Sequence, residues 1–339
     1  MRSIWAIFSV TLKSADGAAR RHDGATARRV HSVFLEEAQK SGTSSRCVVV
    51  PSWLSPWAVL LSVAAVILGG TVLVASQPQP RRIISLIPAV TEMLFALEAG
   101  DRVVAVGSFD KYPPEVEKLP KVGALLDPDL ERILSLRPDL VAVYGSQADL
   151  RTQLERGGVA MFVYAHAGLA DVTTTIRELG TRIGADARAA GLVRDIEERL
   201  ASVRRSVAGR PRPKTLVVFG REALALRNVY ASGGIGFVHD MVTAAGGDNV
   251  FADVNQQAVQ ATTELIITRR PDVILELRAE PLSRDAEQKE RAVWNRLGSV
   301  PAVRNGRVYI LVDRRTVIPG PRVGEGVEVI ARLLHRLPW

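Results

Sequence analysis

Residues 131–141 read ERILSLRPDLV, and residues 264–274 read ELIITRRPDVI. Each has a glutamate, a short helical stretch, an Arg-Pro-Asp and then an apolar run, and the two lie 133 positions apart. Proline disfavours helix at the residue before it, so Pro138 and Pro271 each close a helix, and the β-branched runs beyond them read as buried strands. Glu131 thus matches Glu264, and Asp139 matches Asp272. A second echo pairs EMLFALEAGDRVVAV (92–106) with HDMVTAAGGDNVFAD (239–253), a helix ending in Gly-Asp before a strand. The chain carries two versions of one helix–strand unit.

Around these units, short apolar runs alternate with helical patterns, which predicts α/β architecture on largely parallel sheets. In the first half the pattern gives strands at Arg82–Ile87, Val103–Val106, Leu140–Val143 and Ala160–Tyr164, with helices near 90–99, 128–136 and 148–156. In the second it gives strands near 214–219, 249–251, 272–276 and 307–311, with helices near 234–245, 261–269 and 323–336. Between the halves, Val193, Ile196, Leu200, Val203 and Val207 recur at helical spacing, with Asp186 as the expected N-cap. Gly209, Pro211 and Pro213 stop that helix. About 22 residues at 1.5 Å each make a rod of roughly 33 Å. The fold expected is two Rossmann-like α/β lobes, 81–185 and 210–339, joined by one long rigid helix at 186–209. Ligands of such sheets bind outside the carboxyl ends of the strands, which here is the cleft between the lobes.

The rest of the chain precedes the lobes. Trp53–Ala75 holds 23 residues without a charge, about enough helix to cross a bilayer core, so 53–76 reads as a transmembrane or signal segment. Residues 1–52 form a leader with eight basic and four acidic residues, a bias that keeps the N-terminus cytoplasmic and sends the lobes outside. Small residues at Val74-Ala75-Ser76 leave cleavage and permanent anchoring both open. Cys47 precedes the apolar run and is not placed to take a lipid after export; as a lone cysteine it also excludes an internal disulfide framework. The net charge of +8 comes from 44 basic and 36 acidic residues interspersed along the chain, which does not make the basic stripe of a nucleic-acid binder.

Glu131 and Glu264 each fall in a first helical turn, where the helix dipole favours a solvent-facing carboxylate. They read either as surface charges compensating that dipole or as one docking carboxylate per lobe for a symmetric partner.

The segments IISLIPAVTEMLFAL, FDKYPPEVEKLPKVG, DPDLERILSLRPDLV, AAGGDNVFAD and VPAVRNGRVYIL together resemble the extracytoplasmic substrate-binding proteins of cobalamin and iron-siderophore ABC importers. The resemblance spans roughly residues 81–336. It implies two lobes that hold a bulky chelate with little hinge motion. It also implies that Glu131 and Glu264 dock on arginines of a permease dimer served by an ATPase, that the protein is monomeric, and that it has no catalysis or prosthetic group of its own. The cobalamin branch lines its cleft with aromatics, for which this chain offers Phe109, Tyr112, Tyr144 and Tyr230; Leu125 stands where a tryptophan aligns, and a second tryptophan position falls near Ala258. Siderophores and haem would use arginines instead, and Arg221, Arg278, Arg314 and Arg315 sit at the ends of second-lobe strands. His166 follows a first-lobe strand and could reach the cleft.

Cobalamin is the first ligand choice on this reading, with siderophore or haem as the alternative. A membrane-anchored ligand-sensing module on the same fold is the competing class. Bare zinc or manganese binding needs converging imidazoles or carboxylates, and only His166, His239 and His335 follow residue 80. GGIGF at 233–237 lacks the third glycine of a dinucleotide loop and reads as a tight turn.

Overall fold

The computed structural model describes residues 79–165 and 167–338. The leader 1–52 with Cys47, the apolar segment 53–76 and His166 lie outside the described residues, and among the latter no helix is long and apolar enough to cross a membrane.

β1 (Ile83–Ser85) is wholly buried, and Pro88 opens α1 (Pro88–Ala96) at a position where its missing N–H is no loss. β2 (Val103–Val106), α2 (Leu130–Ser135), β3 (Leu140–Tyr144), α3 (Ala148–Arg156) and β4 (Met161–Tyr164) follow. The strands form a parallel sheet in the order β2-β1-β3-β4, with Ile83 paired to Val103 on one side and Leu140 on the other.

The repeated Arg-Pro-Asp has a physical cause in both halves. Arg137 and Arg270 take left-handed φ angles of 47° and 50°, which turn the chain out of a helix and into a strand. The aspartate then ties that strand to its neighbour. Asp139 accepts from the backbone N–H of Arg81 at 2.7 Å and of Arg82 at 2.9 Å, and its own N–H donates to the Arg82 carbonyl at 3.0 Å. Asp272 likewise accepts from Lys214 N–H at 3.0 Å and donates to the Lys214 carbonyl at 2.7 Å.

Beyond β4 come α4 (Leu169–Ile183) and α5 (Asp186–Val207), then β5 (Lys214–Gly220), β6 (Val229–Ser232), α6 (Phe237–Ala244), β7 (Asp248–Asn249), β8 (Ala258–Ala261) and α7 (Thr263–Arg269). β9 (Val273–Arg278), α8 (Arg284–Ala292), α9 (Pro301–Arg304), β10 (Val308–Val312) and α10 (Val323–His335) complete the chain. The second sheet runs β10-β9-β5-β6-β8, with β7 beside the start of β5. Its parallel part, β7-β5-β9-β10, repeats the order of the first sheet, and β6 and β8 are antiparallel additions.

Two helices, not one, lie between the sheets, which corrects the expectation of a single connecting rod. The run Val172–Thr175 in α4 is β-branched throughout and hides its helical character, yet Leu169, Val172, Ile176, Leu179 and Ile183 fall buried on one face. Gly184, with φ of 71°, ends α4, and Ala185 is the N-cap of α5. Asp186 is therefore the first residue inside α5, where its carboxylate accepts from the Thr181 hydroxyl at 2.6 Å. At the crossing of the two helices a Cβ on Gly180 would lie 2.4 Å from that of Ala189, so only glycine lets them approach this closely. A single apolar cluster runs from Ile83 and Leu140 through Ile176, Val193 and Leu200 to Val217, Leu275 and Val327, so α4 and α5 join the cores of the two sheets.

Candidate functional site

Where the carboxyl ends of the strands meet, side chains from the two lobes interlock. α1 is apolar around most of its circumference, yet one residue on its buried face is Glu92, whose side chain is 2% exposed. It is held from the other lobe by Arg322, which lies just before α10: Nε donates to Oε2 at 2.9 Å and Nη2 to Oε1 at 2.7 Å. Burial pushes the Glu92 carboxyl upward even against that pairing. Burial works to lower the Arg322 pKa, but the bond to Glu92 and the charges of Glu92, Tyr112 and Glu325 together outweigh it and hold the guanidinium protonated. The same guanidinium lies 3.6 Å from the centre of the Tyr112 ring.

Tyr112 belongs to the loop after β2, which also carries Phe109 and Asp110. The Phe109 carbonyl accepts from Arg314 Nη2 at 3.0 Å, a second contact across the lobes. Asp110 is 1% exposed, and neither carboxylate oxygen has a hydrogen-bond partner of good geometry among the described residues. Burial pushes its pKa up to about 7, while the neighbouring Thr91 hydroxyl and the charges of Lys121 and Arg314 pull the other way. Lys121 Nζ donates to the Asp110 carbonyl at 3.3 Å and the Val116 carbonyl at 2.9 Å. Tyr144, at the end of β3, sits edge-to-face with Tyr164 at 6.1 Å, and burial followed by the nearby Asp110 charge raises its phenol above the ordinary range.

The structure therefore brings Phe109, Tyr112, Tyr144 and Arg314 to one region. Arg315 is close in sequence and engages Asp313, with Nη2 to Oδ2 at 2.6 Å, and Glu325 at 3.0 Å. Tyr230 is half-buried on β6, opposite Gln260.

Arg221 and Arg278 are placed differently from the expectation of a ligand contact. The Arg221 side chain is fully buried, paired with Glu276 at 3.0 Å and Glu290 at 2.8 Å, and it also donates to the carbonyls of Glu222, Ala225 and Glu290. Arg278 pairs with Glu276 at 2.7 Å, and Trp294 Nε1 donates to the same carboxylate at 3.2 Å. Arg221 and the Nε and Nη2 of Arg278 are committed to a network inside the second lobe, because a carboxylate buried there needs paired cations. Sequence position at strand ends could not reveal those partners.

Three members of the interlobe cluster escaped the sequence reading: Glu92, Asp110 and Arg322. The signal for Glu92 was present, as a lone acid in the otherwise uncharged run IISLIPAVTEMLFAL. Nothing in sequence ties it to a partner 230 residues away.

Glu131 and Glu264 are both exposed in the first turns of α2 and α7, helices capped by the Asp129 and Thr262 side chains. Glu264 is held below the usual carboxylate range, first by its own backbone N–H and then by the hydroxyls of Thr262 and Thr263. His335 Nε2 lies 3.0 Å from the Ala245 carbonyl, and His239 Nδ1 lies 3.3 Å from Asn249 Nδ2. Among the described residues no group of three metal-ligating side chains converges.

Two cavities lie elsewhere. One of about 710 Å³ runs between α4, α5 and α6, and one of about 730 Å³ lies at the amino ends of β5, β9 and β10 beside Arg210, Arg212 and Arg307. Arg210 and Arg307 there donate to the last carbonyls of α5 and α10, at 3.1 and 2.6 Å, which accounts for the basic lining as helix capping.

Two α/β lobes of matched topology, joined through helices and meeting at the carboxyl ends of their strands, are the fold of a two-lobe solute-binding protein. The chain belongs to the periplasmic binding protein family, whose model matches residues 83–314. It is 31% identical over 267 residues, covering 77% of this chain and 82% of the relative, to an uncharacterised ABC transporter substrate-binding lipoprotein, YvrC, of Bacillus subtilis. It is also 31% identical over 196 residues, 57% of this chain and 71% of the relative, to the vitamin B12-binding protein of Salmonella typhimurium. A solved structure of a periplasmic haem-binding protein from Roseiflexus superposes with a TM-score of 0.66 at 27% identity, covering 76% of this chain and 98% of that one. The family is a class of solute-binding proteins, not of enzymes.

Proposed function

We propose that this chain is the extracytoplasmic capture subunit of an ABC importer, and that its ligand is cobalamin or a closely related corrinoid. Residues 81–185 and 210–339 form the two ligand-binding lobes, and 53–75 tethers them to the membrane or directs export. Phe109, Tyr112 and Tyr144 face the chelate, and Glu131 and Glu264 dock the loaded protein on the permease dimer.

The observation that carries the ligand choice is the charge pairing at the cleft. At the cleft Arg322 is matched to Glu92 and Arg315 to Asp313 and Glu325, while Arg221 and Arg278 are spent on Glu276 and Glu290 inside the second lobe. An anionic chelate would have to displace carboxylates already in place, each seated by a charge-assisted hydrogen bond. An amide-bearing macrocycle resting on aromatic faces requires no such exchange. Relatives carrying the name vitamin B12-binding protein support the same choice.

A second reading rests on Arg314. Its only carboxylate contact is Glu280 at 3.4 Å, and Nε is buried without a partner among the described residues. That arginine is the one placed to take an iron chelate or haem carboxylate, and the haem-binding solved relative supports this alternative.

Calorimetric titration of the purified full chain with cyanocobalamin, haem and a ferric hydroxamate separates the two. Saturable one-to-one binding of the corrinoid alone supports the proposal; binding of an anionic chelate alone, lost in Arg314→Met, overturns it in favour of iron acquisition.

A further inference from the structure

The loop Gly107–Pro113 carries Phe109 and Tyr112, yet it has no regular secondary structure of its own beyond a turn. Within its own lobe it is held by backbone bonds from Gly107 to the Ser85 carbonyl and from Ser108 to the Gly123 carbonyl, both at 2.8 Å, by the Thr91 hydroxyl beside the Asp110 carboxylate, and by Lys121, which reaches the Asp110 carbonyl. Its remaining described side-chain tethers come from the other lobe. Arg314 grips the Phe109 carbonyl at 3.0 Å, and Arg322 covers the Tyr112 ring at 3.6 Å. Arg322 is not free to wander, because both arms of its fork are fixed on the buried Glu92. A planar guanidinium seated bidentately has one orientation, so the ring stacked against it inherits that orientation. Tyr112 nevertheless stays 41% exposed, which leaves ring surface available to a ligand.

We infer that Arg322 and Arg314 are positioning residues: from the second lobe they set the aromatic face that the first lobe offers to the ligand. Glu92 acts one step further back, as the anchor that aims Arg322. The aromatic wall of the cleft is then complete only while the lobes are docked. This rests on the reading of Tyr112 as a ligand-facing residue, but the conformational part can be tested without any ligand.

The test uses the full chain labelled with 3-fluorotyrosine, with the Tyr112 resonance identified by its loss in Tyr112→Phe. Arg322→Met is expected to shift that resonance and broaden it, and Arg322→Lys, which keeps the charge but not the planar stack, to shift it part of the way. Glu92→Gln should move it in the same direction as Arg322→Met. An unmoved Tyr112 resonance in a cooperatively folded Arg322→Met protein overturns the inference; should that variant fail to fold, an unmoved resonance in Arg322→Lys does so.

A second arm titrates cyanocobalamin. If the loop holds its binding conformation a tenth of the time without Arg322, the apparent Kd rises about tenfold. In a Tyr112→Ala background Arg322→Met should then cost nothing more, because one residue acts through the other. Equal losses in both backgrounds would make Arg322 a direct ligand contact and sink the positioning role. Absence of corrinoid binding by the wild type would remove the proposed ligand while leaving the fluorine result to decide the inference.

Discussion

Asp110 places two carboxylate oxygens in the interior with no described donor of good geometry for either. Its proton is held up to about pH 7, against 3.8 for the same group in solution. Between those values the folded state binds more protons than the unfolded state, so stability falls as pH rises across that window. The groups around it are Thr91, Lys121, Arg314, Glu92 and Tyr144; the two cations moderate the effect without cancelling it. A rise from 3.8 to about 7 corresponds to at most roughly 4 kcal/mol. Asp110→Asn should therefore stand only slightly above the wild type in urea denaturation at pH 4.5 and well above it at pH 8. Loss of stability at pH 8 would mean that the charged carboxylate has a partner after all.

Arg221 is the opposite kind of residue, a buried charge with every neighbour matched. Arg221→Met leaves Glu276 and Glu290 in the interior with Arg278 as their remaining cation. Breaking a buried pair from one side costs roughly 3–5 kcal/mol, and the partial cover from Arg278 and Trp294 puts this case at the low end, about 3. Guanidinium denaturation measures it. A change under about 1 kcal/mol would show the network to be slack.

At the scale of elements, the two helix–strand units were legible because their chemistry is local. An arginine, a proline that ends the helix and an apolar run lie within a few residues of each other, so sequence shows all three, though not the left-handed turn at Arg137 and Arg270. Asp139 and Asp272 were legible as repeats, but their role as ties to β1 and β5 was not, since the bonded residues lie 57 and 58 positions away. Helix α4 escaped for another reason. Its threonine-rich start has weak intrinsic helix preference, and what makes it a helix is burial against α5. Hydrogen bonds to a charged acceptor are worth about 1.5–3 kcal/mol, so Asp139→Ala and Asp272→Ala should each cost an amount in that range. The two sites share no described partner, so the double variant should equal the sum of the singles within about 0.5 kcal/mol in the same denaturation experiment. A marked departure would mean that the two sheets do not act as independent units at these edges.

At the scale of the whole molecule, what sequence could not show is how one lobe finishes the other. Glu92 and Arg322, or Phe109 and Arg314, become neighbours only when two separately wound sheets are set face to face, and no periodicity records that. Glu131 and Glu264, the proposed docking carboxylates, are the reverse case, since the internal repeat alone singles them out. Both sit exposed on capped first turns, away from the interlobe cluster in sequence and free of its ion pairs. Exposed pairs contribute roughly 0–1 kcal/mol each, so two of them would fix the register of the loaded protein on a permease more than its affinity. The double charge reversal Glu131→Arg and Glu264→Arg should leave ligand affinity unchanged, lower the melting temperature slightly through the loss of two first-turn carboxylates, and abolish uptake in cells that depend on this importer. The single reversals should each lower uptake, because a two-point contact with one repulsive end loses its register. Undiminished uptake in the double variant would remove the docking role from these residues. Reduced ligand affinity would instead place one of them at the cleft, where neither the repeat nor their exposure puts them.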